Sequence, residues 1–589
     1  MLIDRLEDFE RVVPDMLRCM NPVVDTETNG VNLWGSKDTD PSHLIGISVD
    51  TEREAYYFPY RHRAGQNLPE KTLEFFRWYL SNPDRVYGGF NYKFDMHVLY
   101  NEGVPYANNI EDAMLSAHLL NENEPNFKLK DTCDRYGIGD GSLQESILRD
   151  KVVAECNRLG ITVSIAERSK DSWKSKMDVL PASDVEPYAC DDVRLTRGLI
   201  EMHRPALEYW DLLDMWKQIN YYSVITTRME RSGMQLDLDL IDQYMGEAAG
   251  ESDKVTPRLN ELAGYSINVN SSKQVCALLE IDSSAAEVLE VLADREGRTG
   301  EIAKLVMLAR GWRSVESRYY TPYKSLCDRF GVLRTSLNLH GTISGRLSSN
   351  NPNLQAVARH TDVFKVKDVF VARPGYTMVV MDYKQAEMRL ASYYAKEENM
   401  ANLIRNGEDI HSSTANKLGI PRDAAKRINF GVIYGIGAES LSETLRIPKK
   451  TAAEYLRLYH SLYPGFRQLM DACESYADNH GYIKMWTGRM RHYDGNNPTH
   501  KAMSNLIQGG VAEIMRVTIM KVSPVIRDLK GNMLLQVHDS LIFEIPDENL
   551  MIGMPIVKEI MEDLPFDPVM VVDVTYGKRW GDMQAWKEE

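Results

Sequence analysis

Cysteine is sparse in this sequence: seven among 589 residues, at positions 19, 133, 156, 190, 276, 327 and 473, with no C-x-x-C pair and no histidines at zinc spacing. That scatter excludes a disulfide-stapled secreted module and a zinc finger, and reads as reduced core thiols. No apolar run approaches membrane-spanning length, and the opening MLIDRLEDFERVV carries acid where a signal or transit peptide carries base. A reducing cytoplasm is the expected setting, with no membrane partner. Low-complexity linkers and internal repeats are also missing, so domain boundaries must be read from shifts in pattern. Net positive charge is lacking as well, the sum being -16 at pH 7. Net charge governs solubility and long-range steering, whereas binding of a polyanion depends on local patches, so nucleic acid is not excluded.

What is present is ordinary for folded domains: 43% apolar and 26% charged residues. The length exceeds what one hydrophobic core serves, which implies several domains. Up to about residue 200, short β-type runs (PVVDTET, HLIGISVD, AYYFPY, RVYGGF) alternate with helical stretches such as EKTLEFFRWYL, the pattern of an α/β layer domain. From 205 to 335 helical periodicity dominates, broken at AGYSINVNSSKQ, where Asn270 or Ser271 can cap the next helix. Between Lys304 and Arg346, the cations Lys304, Arg310, Arg313, Arg318, Lys324, Arg329, Arg334 and Arg346 meet only Glu316 and Asp328. A phosphate track and a solvated helix face are equally good readings of that stretch. Strand signals then return: YTMVVMDY ends on an acid, and NMLLQVHDSLIFEIP reads as two strands meeting near His538 and Asp539. A helical block, about 400 to 520, lies between them.

Two sets of acids carry the chemistry. Asp25 and Glu27 stand two apart on a strand, so both carboxylates project from one face. Asp95 follows in GGFNYKFDMHVL, and Tyr188 and Asp192 sit one helical turn apart in EPYACDDVRLT. Each acid alone is an ordinary cap or turn residue; together they offer oxygen ligands suited to Mg²⁺ or Mn²⁺. A pair of such ions roughly 4 Å apart activates water and stabilises the leaving oxygen of a phosphodiester, which is nuclease chemistry.

Asp382, at the end of the strand TMVVM, and Asp539, at a turn between strands, form a second set that a sheet can bring together. Between them, in IPRDAAKRINFGVIYG, Pro421 suits a helical first turn and Arg422, Lys426, Phe430 and Tyr434 recur every four residues. Such a face offers two cations for a triphosphate and two rings for a base. A surface helix with incidental aromatics is the competing reading.

The ordered set D-x-E, N-x-x-x-D, Y-x-x-x-D resembles the three motifs of the DnaQ-like 3′→5′ exonucleases. The resemblance implies that Asp25, Glu27, Asp95 and Asp192 hold two metals, that Tyr188 orients the attacking water and that Asn91 helps position the strand. MDYKQAEMRL, RDAAKRINFGVIYG and QVHDSLIFEIP resemble, in order, motifs A, B and C of the polymerase-I-like (family A) DNA polymerases, and GTISGRLSSNNPNLQ resembles the segment preceding motif A. The likeness runs from about residue 20 to the terminal VDVTYGKRWGDM.

The implied fold is α/β: a ribonuclease-H-like exonuclease domain (1–204), then a right-hand polymerase. Its parts are a mostly helical thumb (205–335), a first palm part (336–404), fingers (405–498) and a second palm part (499–589). The implied partners are primer-template DNA and dNTPs, and the implied activity is template-directed synthesis with proofreading. Asp382 and Asp539 become ligands of two Mg²⁺, with Mn²⁺ as substitute. Arg422 and Lys426, with His411 beside them, meet the triphosphate. Phe430 and Tyr434 line the nucleotide pocket, and Glu387 is the steric gate, with Gln385 its neighbour. Arg346 and Gln508 read the minor groove, while His538 contacts the primer.

The match also has departures. Motif C reads His538, Asp539, Ser540 where the family commonly has a glutamate third, and motif A has Lys384 for serine. Ser504 stands for asparagine, and GYIKMWTGRMR keeps Arg489 of an expected DNA-gripping arginine pair but puts Met490 second. The expected layout has no 5′-nuclease domain and no long insertion in the helical middle segment, which resembles phage replicative enzymes and makes a host cytoplasm the location if the chain is viral. A monomer is the family expectation, and the sequence names no processivity factor or helicase. An exonuclease carrying only a DNA-holding module, and a non-catalytic replication scaffold, are the competing readings; the intact acids, Arg422 and Lys426 argue against both.

Overall fold

The computed structural model describes residues 1–37, 39–140, 142–166, 172–358 and 364–587, and the backbone alone of 252 and 253. The first half is an α/β layer. Its sheet runs β3-β2-β1-β4-β5, where β1 is Val23–Thr28, β2 Leu44–Asp50, β3 Ala55–Pro59, β4 Tyr87–Gly89 and β5 Ile110–Asp112. β1, β2 and β3 pair antiparallel, whereas β4 and β5 add in parallel on the other side of β1, a crossover that the helix Lys93–Asn101 makes possible. β2 and β3 are buried along their whole length, which is why LIGISVD and AYYFP read as continuous apolar runs. The helix Ala182–Tyr209 crosses the sheet with Val185, Ala189, Val193 and Leu199 buried against it.

The second half is built on an antiparallel sheet. Its middle strand, Tyr376–Tyr383, pairs with Ser540–Pro546 on one side and Val572–Arg579 on the other. That register sets Asp382 opposite Ser540 and opposite Asp573. Helices between 238 and 326 close around a small core of their own, formed by Leu259, Val275, Leu289, Ile302 and Val306. Of the two capping candidates, Ser271 is the one used: its hydroxyl accepts the Gln274 N–H at 3.4 Å.

One sequence expectation is corrected here. The block from 400 to 520 is not all helix: the strands Tyr482–Lys484 and Met490–His492 form a hairpin within it, with Gly488 at φ 93 in the turn. The alternation that buries Ile483 while exposing Lys484 is a strand period, too short to register beside the flanking helices. In the basic stretch, several cations already have partners within the protein. Arg310 donates to the carbonyls of Val269 and Ser284, and Lys324 pairs with Asp242. Arg334 pairs with Asp328 at 2.6 Å and stacks on Trp34, and Arg346 pairs with Glu387.

The halves are fused rather than tethered. One apolar core is continuous from Val23 and Ile45 through Trp216 and Tyr222 to Met378 and Phe543. The helix Leu213–Ser232 runs through it and ends on Glu230, whose carboxylate takes Lys93 at 2.7 Å, His97 at 2.8 Å and the Leu337 N–H. A second buried carboxylate, Glu122, accepts from Arg491 at 2.6 Å, the His492 N–H at 2.7 Å and His492 Nδ1 at 2.9 Å. Burial pushes the Glu122 carboxyl up, but His492 and Arg491 outweigh it and hold it at about 2.

Removing that charge tests the junction. Glu122→Gln leaves Arg491 buried and unpaired, an expected loss of about 3 kcal/mol. Because the folded carboxyl lies below its ordinary 4.5, its contribution is complete above that pH and disappears as pH falls toward about 2. Urea melts of both proteins between pH 7 and pH 3 should therefore show a gap that narrows with acid; a gap independent of pH would contradict the assignment.

Candidate active sites

The first centre lies at the end of β1. Asp25 and Glu27 flank Thr26, so their side chains share a face while Thr26 turns the other way. Thr26 donates its N–H (2.9 Å) and its hydroxyl (2.6 Å) to Asp95 Oδ1, tying the helix Lys93–Asn101 to the strand. Tyr188 and Asp192 sit a turn apart on Ala182–Tyr209, both largely buried. Ligand oxygens of Asp25, Glu27 and Asp192 all lie within 4.8 Å of one another, the one such group of three acids, histidines or cysteines among the described residues. Asp95, expected as a fourth member, stands beside this trio because Thr26 holds it. Asn91 is exposed at φ 55, its N–H fixed to Asp112 Oδ1 at 3.0 Å.

Burial raises the Asp25 carboxyl to about 6 and pushes Glu27 upward too, with the Asp25 charge adding to the effect. Asp95 is driven well above the carboxylate range by burial and then by Asp25. Glu27 Oε1 is buried and finds no hydrogen-bond partner among the described residues. An all-oxygen donor set, short of positive charge and with an orphaned carboxylate oxygen, fits a hard divalent cation. The sequence reading missed Lys130, whose ammonium ion-pairs with Asp192 and lies 4.9 Å from the Tyr188 ring centroid. In NFKLKDTC a lysine reads as solvent-facing; the only signal is that Lys130, Thr132 and Cys133 form the buried face of a short helix.

The second centre lies at the strand ends of the other sheet. Asp382 closes its strand, and the Ser540 hydroxyl opposite donates to Asp382 Oδ1. The Tyr383 N–H donates to the Asp539 carbonyl at 3.2 Å, which sets the two aspartates side by side. His538 is exposed at φ 55 in the turn, and its carbonyl takes Gln536 Nε2 at 3.0 Å. Burial, then the Asp382 charge, lift the Asp539 carboxyl to about 6.

The helix Arg422–Ile433 buries Ala425, Ile428, Asn429 and Val432 and turns Arg422, Lys426, Phe430 and the following Tyr434 outward. Pro421 is its N-cap, one place before the first turn where it was expected. Arg422 pairs with Asp409 at 2.7 Å; the His411 ring sits 5.5 Å from Phe430 and bonds Asn429 Nδ2 at 2.9 Å. Tyr434 donates to Glu387 Oε2 at 2.6 Å while Arg346 holds Oε1 at 2.7 Å. Gln385, at φ 54, caps the helix that carries Glu387. Gln508 donates to Ser504 Oγ at 3.2 Å, so the serine that departs from the family pattern is its partner.

Arg489 is a correction. Expected to grip DNA, it is only 7% exposed, 3.6 Å from Glu513 and 3.3 Å from His118. The hairpin folds it inward because Glu513, fully buried, draws both Arg489 and Arg516. Its guanidinium lies against Gly345, where a Cβ would come within 2.7 Å, in a backbone already at φ 73.

The structure thus fuses an α/β domain holding an acid trio to an antiparallel sheet with an acid pair beside a cation-and-ring helix. The chain belongs to DNA polymerase family A: that family's model matches residues 239–582, more than half of the sequence, and a 3′-5′ exonuclease model matches residues 2–202. It is 28% identical to DNA polymerase I of Chloroflexus aurantiacus over 92% of its own length and 60% of that protein's. It is 30% identical to the thermostable DNA polymerase I of Thermus aquaticus over 61% of its own length. The chain spans 60% and 47%, respectively, of these two relatives. Its fold is that of the POL domain of Pol1 from M. smegmatis, solved in complex with DNA primer-template and dNTP, with a TM-score of 0.78 over 98% of this chain and 99% of that one at 22% identity.

Uncompensated charge in the first centre predicts a stability signature. In EDTA, Asp25→Asn combined with Glu27→Gln should melt roughly 3 °C above the unmodified protein, because like charges have been removed. Millimolar Mg²⁺ should raise the melting temperature of the unmodified protein more than that of the variant, which keeps the Asp382 and Asp539 pair. Equal melting of the two proteins in EDTA would show that the acids are not under mutual strain.

Proposed function

We propose that the chain copies DNA from a primer-template with dNTPs and removes mismatched 3′ ends at a separate centre. The observation that carries this reading is the pairing of two acid centres, one beside an outward face of Arg422, Lys426, Phe430 and Tyr434. In this reading residues 205–335 act as thumb, 336–404 and 499–589 as palm and 405–498 as fingers. The compact segment 205–335 supports a phage-type replicative role.

At the synthetic centre Asp382 and Asp539 would hold two divalent cations, Mg²⁺ or Mn²⁺, which lower the pKa of the primer 3′-OH and neutralise the leaving pyrophosphate. Ser540 donates to Asp382 Oδ1 and would thereby hold that carboxylate in place for the ions. Arg422 exchanges Asp409 for the triphosphate, and Lys426 and His411 add donors on the same face. Phe430 and Tyr434 stack on the base, and Glu387, held from both sides, fills the space that a ribose 2′-OH needs. Gln508, Arg346 and His538 reach the primer end. At the other centre Asp25, Glu27, Asp95 and Asp192 would hold two such ions, Tyr188 orients the water, and Asn91 positions the strand.

Extension of a primer ending in a mismatch, with Mg²⁺ and four dNTPs, tests both assignments. The unmodified protein should trim and then extend. Asp382→Ala should trim only, with synthesis down roughly a thousandfold, the worth of several kcal/mol of charge stabilisation. Asp25→Ala plus Glu27→Ala should extend matched ends without trimming. Degradation alone by the unmodified protein would leave the second half a DNA-holding module.

Phe430 lacks the hydroxyl that a tyrosine ring places near the sugar. The unmodified protein should therefore discriminate against dideoxynucleotides, and Phe430→Tyr should relax that preference. Competition between dNTP and its dideoxy analogue measures it; equal use of both by the unmodified protein refutes the placement of Phe430.

A further inference from the structure

One side chain at the exonuclease centre has no part in the reaction described above. Lys130 lies near the start of the helix Leu129–Tyr136 with its side chain only 11% exposed. Its ammonium ion-pairs with Asp192, stands 4.0 Å from Asp191 Oδ2 and faces the Tyr188 ring. Its charge also reaches Asp25 and Glu27. Lys174 is the other lysine whose field reaches these acids, but it has a carboxylate of its own, Glu145 at 3.0 Å, and is 37% exposed. Taking an ammonium out of water is costly, and a lysine on this helix face would ordinarily turn its head to solvent. Lys130 instead points inward, where Asp192 is its ion-pair partner among the acids assigned to metal binding, and Asp191, the Tyr188 ring and the charges of Glu145, Asp25 and Glu27 add to its compensation. A single ammonium neutralises one carboxylate; a divalent cation bridges several, so the two compete for Asp192.

We propose that Lys130 is a positioning residue of the exonuclease centre, a tethered cation that keeps Asp192 and Tyr188 in register without metal and yields Asp192 when metal enters. It thereby sets the metal concentration at which excision begins. This inference rests on reading Asp25, Glu27 and Asp192 as a metal site.

Calorimetric titration of the full chain with Mn²⁺ tests it, the exonuclease component being the binding that Asp25→Ala plus Glu27→Ala removes. Lys130→Met deletes the competing charge and should tighten that component about tenfold, a change that one unit charge at this range readily supplies. Lys130→Gln, which keeps a hydrogen-bonding head, should do the same if the methionine variant fails to fold, and Lys130→Arg should stay near the unmodified value. In EDTA the neutral variants should melt below the unmodified protein, with the difference narrowing in saturating Mn²⁺. Unchanged Mn²⁺ affinity would overturn the proposal by making Lys130 a bystander. Weakened affinity would overturn it too, by showing that the lysine assembles the ligands and does not compete. If Asp25→Ala plus Glu27→Ala removes no Mn²⁺ binding, the metal-site reading itself fails, whatever Lys130 does.

Discussion

A carboxylate withdrawn from water must find a cation or a set of N–H donors, and the architecture of this protein follows from where that demand is met. Glu230 has Lys93 and His97, Glu122 has Arg491 and His492, and Glu513 has Arg516 and Arg489. In all three the carboxyl lies below its ordinary range: burial pushes up, and the partners push down harder. Asp112 is satisfied differently, by the backbone N–H groups of Asn91, Tyr92 and Met114. Asp25, Glu27, Asp95 and Asp539 break the pattern: burial is the largest cause at each and pushes them up, and a neighbouring carboxylate adds to it at Glu27, Asp95 and Asp539. These less compensated acids are the ones to which the proposed function assigns metal ions.

The satisfied carboxylates do structural work between the halves. Glu230 joins the helix Lys93–Asn101, which carries Asp95, to the strand Ser336–Asn338 that leads into the Thr342–Arg346 turn. His118 Nε2 donates to the Thr342 carbonyl at 3.1 Å, and Thr342 Oγ1 donates to the Arg346 carbonyl at 2.7 Å. Arg346 in turn holds Glu387, which Tyr434 closes from the other side. A continuous chain of contacts thus runs from the exonuclease helix Ala113–Leu120 to the end of the nucleotide helix. Its members are rigid elements, so the two centres keep a fixed relation in this structure.

Much of this was legible in the sequence, for identifiable reasons. The spacing of Asp25 and Glu27 fixes a shared face once a strand is recognised, and that of Tyr188 and Asp192 does so on a helix; both need only local periodicity. The cation-and-ring face of Arg422–Ile433 was readable on the same ground. What escaped depends on partners distant in sequence. Arg489 is buried because Glu513, His118 and Gly345 converge on it, and no local pattern places residues 118 and 345 beside 489. Lys130 points inward because acids on β1 and on Ala182–Tyr209 surround it. The partners of Lys324 and Arg310 in the basic stretch escaped because Asp242, Val269 and Ser284 lie outside the window in which its charges were compared.

If the helix Arg422–Ile433 receives a triphosphate as proposed, its ion pairs show how the site would stay folded without one. Arg422 and Asp409 are both well exposed, so their ion pair contributes little and is readily exchanged. A triphosphate offers the same arginine several charged oxygens at once, which a single exposed carboxylate cannot match. Glu387 differs: its side chain is 16% exposed and gripped by two donors, a geometry that resists exchange. On the proposed function, the labile pair would sit where a substrate charge is received, and the tight one where a substrate hydroxyl is refused. Exposure, more than residue type, separates the two roles on this helix and its neighbour.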